Sequence, residues 1–200
     1  SMNDSPFQAN RIQSYLDLFF TWCWDRGYCD PSPMAGLKKQ YAEESRERTL
    51  SPAEIKQLWH GCITLGYPWG DLSRFVLATG QRPGECRKLN RNDIVNNVWL
   101  VEGGDHPVGQ GGKPYKALKD AAGFSDWQPR DLRRTFITMA SEELDIDTQL
   151  IGAVCNQLSV SKPGVAGVYN KATWIKQKRS ALNSWNRFIA KIIKAEKRST

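Results

Sequence analysis

Histidine is nearly absent from this 200-residue chain, which carries only His60 and His106. Two distant imidazoles, with no Cys-x-x-Cys pair among Cys23, Cys29, Cys62, Cys86 and Cys155, leave no ligand set for a zinc site. The cysteines are also odd in number, so a closed disulfide framework is not expected and the thiols read as reduced and mostly buried. Nowhere do about 18 apolar residues run uninterrupted, which excludes an ordinary membrane-spanning helix. The first residues lack the basic-then-apolar order of a signal peptide. A soluble, cytoplasmic chain is expected. The stretch Gly109-Gln110-Gly111-Gly112-Lys113 resembles a phosphate loop, but Pro107 stands where the motif needs its first glycine and Pro114 where it needs Ser or Thr. Nucleotide binding is excluded on that ground, and no cofactor is expected.

What the chain does have is positive charge and helical periodicity. A net charge of +7 and a pI near 9.2 point to a polyanionic partner, because Lys and Arg gain by displacing counterions from nucleic acid. Ile12, Tyr15, Leu16, Phe19, Trp22 and Cys23 recur at helical spacing until Gly27. The polar run from Lys38 to Arg48 then reads as a linker, placing a domain boundary between residues 1–45 and 46–200. Ser51-Pro52-Ala53-Glu54 is a capping box ahead of an apolar stripe of Ile55, Leu58, Trp59 and Cys62. Helices are expected over Asp71 to Thr79, Pro83 to Leu89, Asp131 to Glu143, Asp147 to Asn156, Pro163 to Tyr169 and Trp174 to Ala195, with one strand from Val95 to Val101. The chain after that strand is glycine-rich and poorly patterned. The sum is a mainly α protein with a small sheet.

Three segments carry candidate chemistry: Ala78-Thr79-Gly80-Gln81-Arg82-Pro83-Gly84-Glu85, Arg130-Asp131-Leu132-Arg133-Arg134-Thr135, and Gly164-Val165-Ala166-Gly167-Val168-Tyr169-Asn170. Together they resemble the tyrosine recombinases of the phage-integrase family. There, a first Arg follows Thr-Gly and precedes Glu by three, a second Arg closes a His-x-x-Arg box, and the nucleophilic Tyr comes last. The resemblance covers roughly residues 7 to 195. It implies an integrase-like catalytic domain with a small antiparallel β-sheet over residues 46–200. Residues 1–45 would hold the last helix of the family's core-binding (SAM-like) domain and a linker. It also implies site-specific DNA recombination and integration by a bacterial or phage-encoded mobile-element enzyme on nucleoid DNA, with double-stranded DNA as partner and no metal or cofactor. Arg82 and Arg133 would clamp the nonbridging oxygens of a phosphodiester, where charge gathers during attack. Tyr169 would attack in line and hold the strand as a 3′-phosphotyrosine.

The departures from the family pattern bear on activity. Arg130 stands where the box begins with His, so a fixed cation replaces a proton shuttle. Gln157, after Asn156, stands where the family has His or Trp, and it donates a hydrogen bond without titrating. The family's lysine lies on a hairpin ahead of a His-x-Val segment. Here Val101-Glu102-Gly103-Gly104 precedes His106-Pro107-Val108, and Lys113 is the nearest lysine. Each lost acid/base group costs about 10²–10⁴ in rate. Two functions are therefore expected in the alternative: a recombinase of impaired turnover, or a degenerate relative acting only as a DNA-binding or interaction module.

Each residue also has a plainer reading. Tyr169 alone on an apolar helix is a core tyrosine, Arg82 pairs with Glu85, and Arg130, Arg133 and Arg134 form a solvated face. Arg134, next to Arg133 on a helix, is expected to point away from it and to be solvated or touch the DNA backbone. From Lys171 to Arg198 nine Lys or Arg stand against one Glu, interleaved with Trp174, Leu182, Trp185, Phe188, Ile189, Ile192 and Ile193. That helix is expected either to dock its apolar face within its own domain, to pack it on a neighbouring protomer, or to lie on a membrane surface. Lys171 and Lys176 are candidates for DNA backbone contact, and the helix itself for self-association on DNA.

Overall fold

The structure is a computed structural model that describes residues 6–39, 41–42, 46–90, 92, 94–95, 98–99, 112–157 and 174–195. The chain divides into two compact units, residues 1–46 and 47–200.

The first unit is built on α1 (Pro6–Asp25), which ends where Gly27 takes φ +72°. Asn10 ties the returning chain to this helix. Its Nδ2 donates to Tyr41 O at 2.8 Å, and its Oδ1 accepts from Tyr41 N at 3.3 Å. Of the expected apolar stripe only Cys23 is buried, while Ile12, Tyr15, Leu16, Phe19 and Trp22 are exposed. A unit of one helix and a return segment has too little surface to cover them.

The second unit is a helical domain: α2 (Pro52–Leu65), α3 (Trp69–Thr79), α4 (Pro83–Cys86), α5 (Gly112–Ala122), α6 (Pro129–Glu142), α7 (Thr148–Val154) and α8 (Ile175–Lys194). The Ser51 box closes as its sequence predicts, with Glu54 N donating to Ser51 Oγ at 3.3 Å and Ser51 N to Glu54 Oε2 at 2.8 Å. The core gathers Ile55, Leu58, Leu77, Leu118, Trp127, Leu132, Phe136, Trp185 and Ile189, all at most 2% exposed. Phe136 and Trp185 meet edge to face at 5.3 Å.

Three expectations change. The segment read as unpatterned contains α5, whose Leu118 and Ala122 are buried and whose Tyr115 packs on the core. Its apolar residues are few, but α2 approaches closely. A Cβ at Gly61 would stand 2.8 Å from Ala122 N, so only glycine permits that approach. The helix after Pro83 stops at Cys86 and continues as a turn to Leu89. The single strand Val95 to Val101 is instead a two-residue antiparallel ladder, β1 (Ile94–Val95) with β2 (Val98–Trp99), in register Ile94↔Trp99 and Val95↔Val98. The expected Pro163 to Tyr169 helix lies outside the described residues.

The amphipathic α8 docks within its own unit. Ala181, Trp185 and Ile189 are buried, and Leu182, Phe188, Ile192 and Ile193 pack against the core. Its apolar face is therefore occupied in cis. No described helix is long and apolar enough to cross a membrane.

Candidate functional site

The site is organised around the end of α3. A helix leaves its last carbonyls without intrahelical donors, and here donors from α6, α8, the cap of α7 and the adjoining Gln81 supply them. Gly80, at φ +65°, caps the helix with its N–H donating to Val76 O at 2.9 Å. Trp185 Nε1 donates to Leu77 O at 2.8 Å, Asn186 Nδ2 to Ala78 O at 3.1 Å and Gln81 Nε2 to Thr79 O at 3.3 Å. Gly80 O accepts from Arg133 Nη1 at 3.0 Å and from Cys155 Sγ at 3.5 Å. The Thr-Gly-Gln-Arg segment is thus held in place before Arg82 begins its side chain.

The end of α7 is satisfied in the same way, and by the same residues. Asn156 takes φ +52°, and Gln157 N donates back to Gly152 O at 2.9 Å, a Schellman-type closure. Three consecutive carbonyls then accept side-chain donors: Val154 O from Gln81 Nε2 at 2.6 Å, Cys155 O from Arg133 Nη2 at 2.8 Å, and Asn156 O from Arg82 Nη1 at 3.4 Å. Cations at a helix C-terminus also complement its dipole. Arg133 is 8% exposed, and burial pulls its guanidinium pKa below the ordinary range, with Cys155 opposing and Arg82 adding to the shift. Its two bonds use two of the five N–H donors of a guanidinium.

Arg82, Arg130, Arg133, Arg134 and Gln157 line one open cleft of about 990 Å³, together with Arg87, Lys88, Glu85, Gln128 and Tyr115. Six cations face one carboxylate there. Arg82 is half-exposed and bonds Glu85 Oε1 at 3.0 Å, so the plain pairing exists, at a separation worth little in solvent. Arg130 is exposed in the first turn of α6, where a cation opposes the helix dipole. Asp131 compensates: its Oδ2 accepts from Gln128 N at 2.9 Å and its Oδ1 from Arg134 Nη1 at 3.2 Å. The same contact corrects the expectation for Arg134. Drawn back one turn by Asp131, its side chain lines the cleft that Arg133 lines.

Other predicted residues do not join this cleft. Lys176 is exposed on α8, Lys113 is exposed on α5, and neither lines it. Tyr169, Lys171 and His106 lie outside the described residues. Arg87, Lys88 and Tyr115 were not foreseen. Tyr115 packs edge to face on Trp69 at 5.2 Å, and burial raises its phenol pKa, with Arg87 opposing. Among the described residues no three His, Cys, Asp or Glu converge on a metal-sized site.

Two buried thiols, Cys86 and Cys155, border this machinery, and a third, Cys62, is buried beside the start of α3. Burial pushes Cys62 and Cys86 up to about 12 and Cys155 up to about 11, from an ordinary 9.0. Because the folded values lie above the unfolded one, the neutral thiols cost nothing below pH 9. Above it the unfolded chain ionises first, and stability falls as pH rises through the folded values. Unfolding free energies from urea titration in reducing buffer are expected to hold between about pH 8 and 9, then fall by up to about 1.4 kcal/mol per pH unit for each thiol. A free energy unchanged up to about pH 10.5 contradicts that burial.

Comparison with protein-family models, with curated proteins and with solved structures finds no match to the chain.

Proposed function

We propose that residues 46–200 are a DNA-binding catalytic domain of the tyrosine recombinase kind, breaking and rejoining strands through a 3′-phosphotyrosine on Tyr169, with weakened acid/base assistance. The observation that carries this reading is the convergence of Arg82 and Arg133, from distant parts of the chain, on one cationic cleft. In the reaction the Tyr169 phenol gives its proton to water, its oxygen bonds to phosphorus, the bond to the 5′-oxygen breaks, and that oxygen takes a proton from water as it leaves. Arg82, Arg130 and Arg133 hold the charge on the nonbridging oxygens, and Gln157 donates a hydrogen bond. The 5′-hydroxyl of another strand reverses the step. On this reading residues 1–45 derive from a core-binding domain, and the chain serves a mobile element in a bacterial cytoplasm.

A second reading, a DNA-binding module without turnover, is favoured by the state of Arg133. Both of its Nη atoms already donate to main-chain carbonyls, and Arg130 exchanges no proton. A DNA substrate nicked so that the cleaved end diffuses away separates the two. A covalent adduct on a denaturing gel, lost in Tyr169→Phe, is expected for the recombinase. No adduct, with salt-sensitive duplex binding retained on the native site, selects the module.

A further inference from the structure

The outer face of α8 carries an ordered row of cations that the cleft does not use. At about 100° per residue, Lys176, Arg179, Arg187, Lys191 and Lys194 fall within about 60° of a single line along the helix. All five are exposed. The row is about 27 Å long, at about 1.5 Å per residue. No Asp or Glu occurs in Ile175–Lys194, and among the described residues none of the five makes an ion pair. A solvated helix face ordinarily mixes signs, since i,i+4 pairs of opposite charge support the helix and like charges oppose it. Here like charges stand at that spacing between Arg187 and Lys191, and nothing on the helix offsets them.

We infer that this row is a second phosphate-binding surface, separate from the cleft, that lies against the sugar-phosphate backbone of duplex DNA. A basic amphipathic helix has two polyanions open to it, and the opposite face decides between them. A helix of this kind binds membranes strongly by sinking its apolar face into the lipid, whereas here Ala181, Trp185 and Ile189 are buried and Trp185 is bonded to Leu77 O. Only the cations remain for a partner. Each strand of a duplex carries about one charge per 3.4 Å of axis, so a row of this length meets more phosphates than it has cations. The inference rests on the DNA reading above but not on strand cleavage.

The test is the salt dependence of affinity of the full chain for a fluorescent duplex, with all five cations replaced by Gln. Counterion release gives a slope of about 0.9 per phosphate contact, so the slope of log K against log salt is expected to shrink by about 4, and affinity to fall at least about tenfold at moderate salt. Should the five-fold variant fold poorly, Lys176→Gln/Arg179→Gln and Lys191→Gln/Lys194→Gln are each expected to shrink the slope by about 2. A slope unchanged in variants that melt like the wild type overturns the inference. So does loss of binding to phosphatidylserine vesicles with duplex affinity intact. The cleft variant Arg82→Gln/Arg130→Gln separates the two claims. If it alone weakens binding, the row fails and the cleft reading stands; if only the row variants do, the inference holds and the cleft reading fails.

Discussion

Arg133→Met is expected to lower stability by about 2–4 kcal/mol and duplex affinity by about 10–100-fold. Methionine keeps much of the apolar stem, so the loss falls on the donors. Cys155 O loses its guanidinium partner, and Gly80 O keeps only the thiol of Cys155. A buried carbonyl left without its partner costs about 1–3 kcal/mol. Arg133→Lys is expected to recover less than half of this, because one ammonium on a flexible stem cannot span two carbonyls on different segments. Urea denaturation reads the first effect, and duplex titration of folded protein at fixed salt reads the second. A methionine variant within about 0.5 kcal/mol of wild type would falsify the strut.

Gly80→Ala is expected to be at least as severe for stability, for two reasons that can be measured apart. The φ of +65° costs a residue with a Cβ about 1–2 kcal/mol. The new methyl would also overlap the Phe136 ring at Cδ1, and Phe136 is fully buried against Trp185, so the ring has nowhere to turn. Overpacking of this kind costs about 1–3 kcal/mol more. In the double variant Gly80→Ala/Phe136→Leu the second cost is expected to disappear while the first remains, a coupling of about 1–3 kcal/mol. Strict additivity of the two single changes would show that the ring does not confine position 80.

The capping box at Ser51, the glycine stop at Gly80 and the periodicity of α6 and α8 were legible because each is a local pattern. α5 was not. Tyr115, Leu118 and Ala122 do recur at helical spacing, but so few apolar residues, after a run of glycines and beside Pro114, gave too short a pattern to stand out. The stripe on α1 showed the converse failure, since periodicity marks a face to be covered without saying whether anything covers it. At the cleft, Arg82, Arg130 and Arg133 could be singled out because side-chain identity and spacing carried them. Arg87, Lys88 and Tyr115 reach it from segments with no motif. Least legible were the partners of Gln81, Arg82 and Arg133, because every residue possesses a carbonyl and nothing in the sequence tells one from another.

The run of carbonyls from Val154 to Asn156 behaves as a caliper for the two arginines. Gln81 fixes one jaw, and Arg133 and Arg82 rest on the next two rungs, with Glu85 holding Arg82 from the other side. Substituting the other cleft residues changes the charge and leaves these contacts alone. A change at Asn156, which must hold φ +52° for the last rung to face Arg82, resets the gauge without touching a single cation.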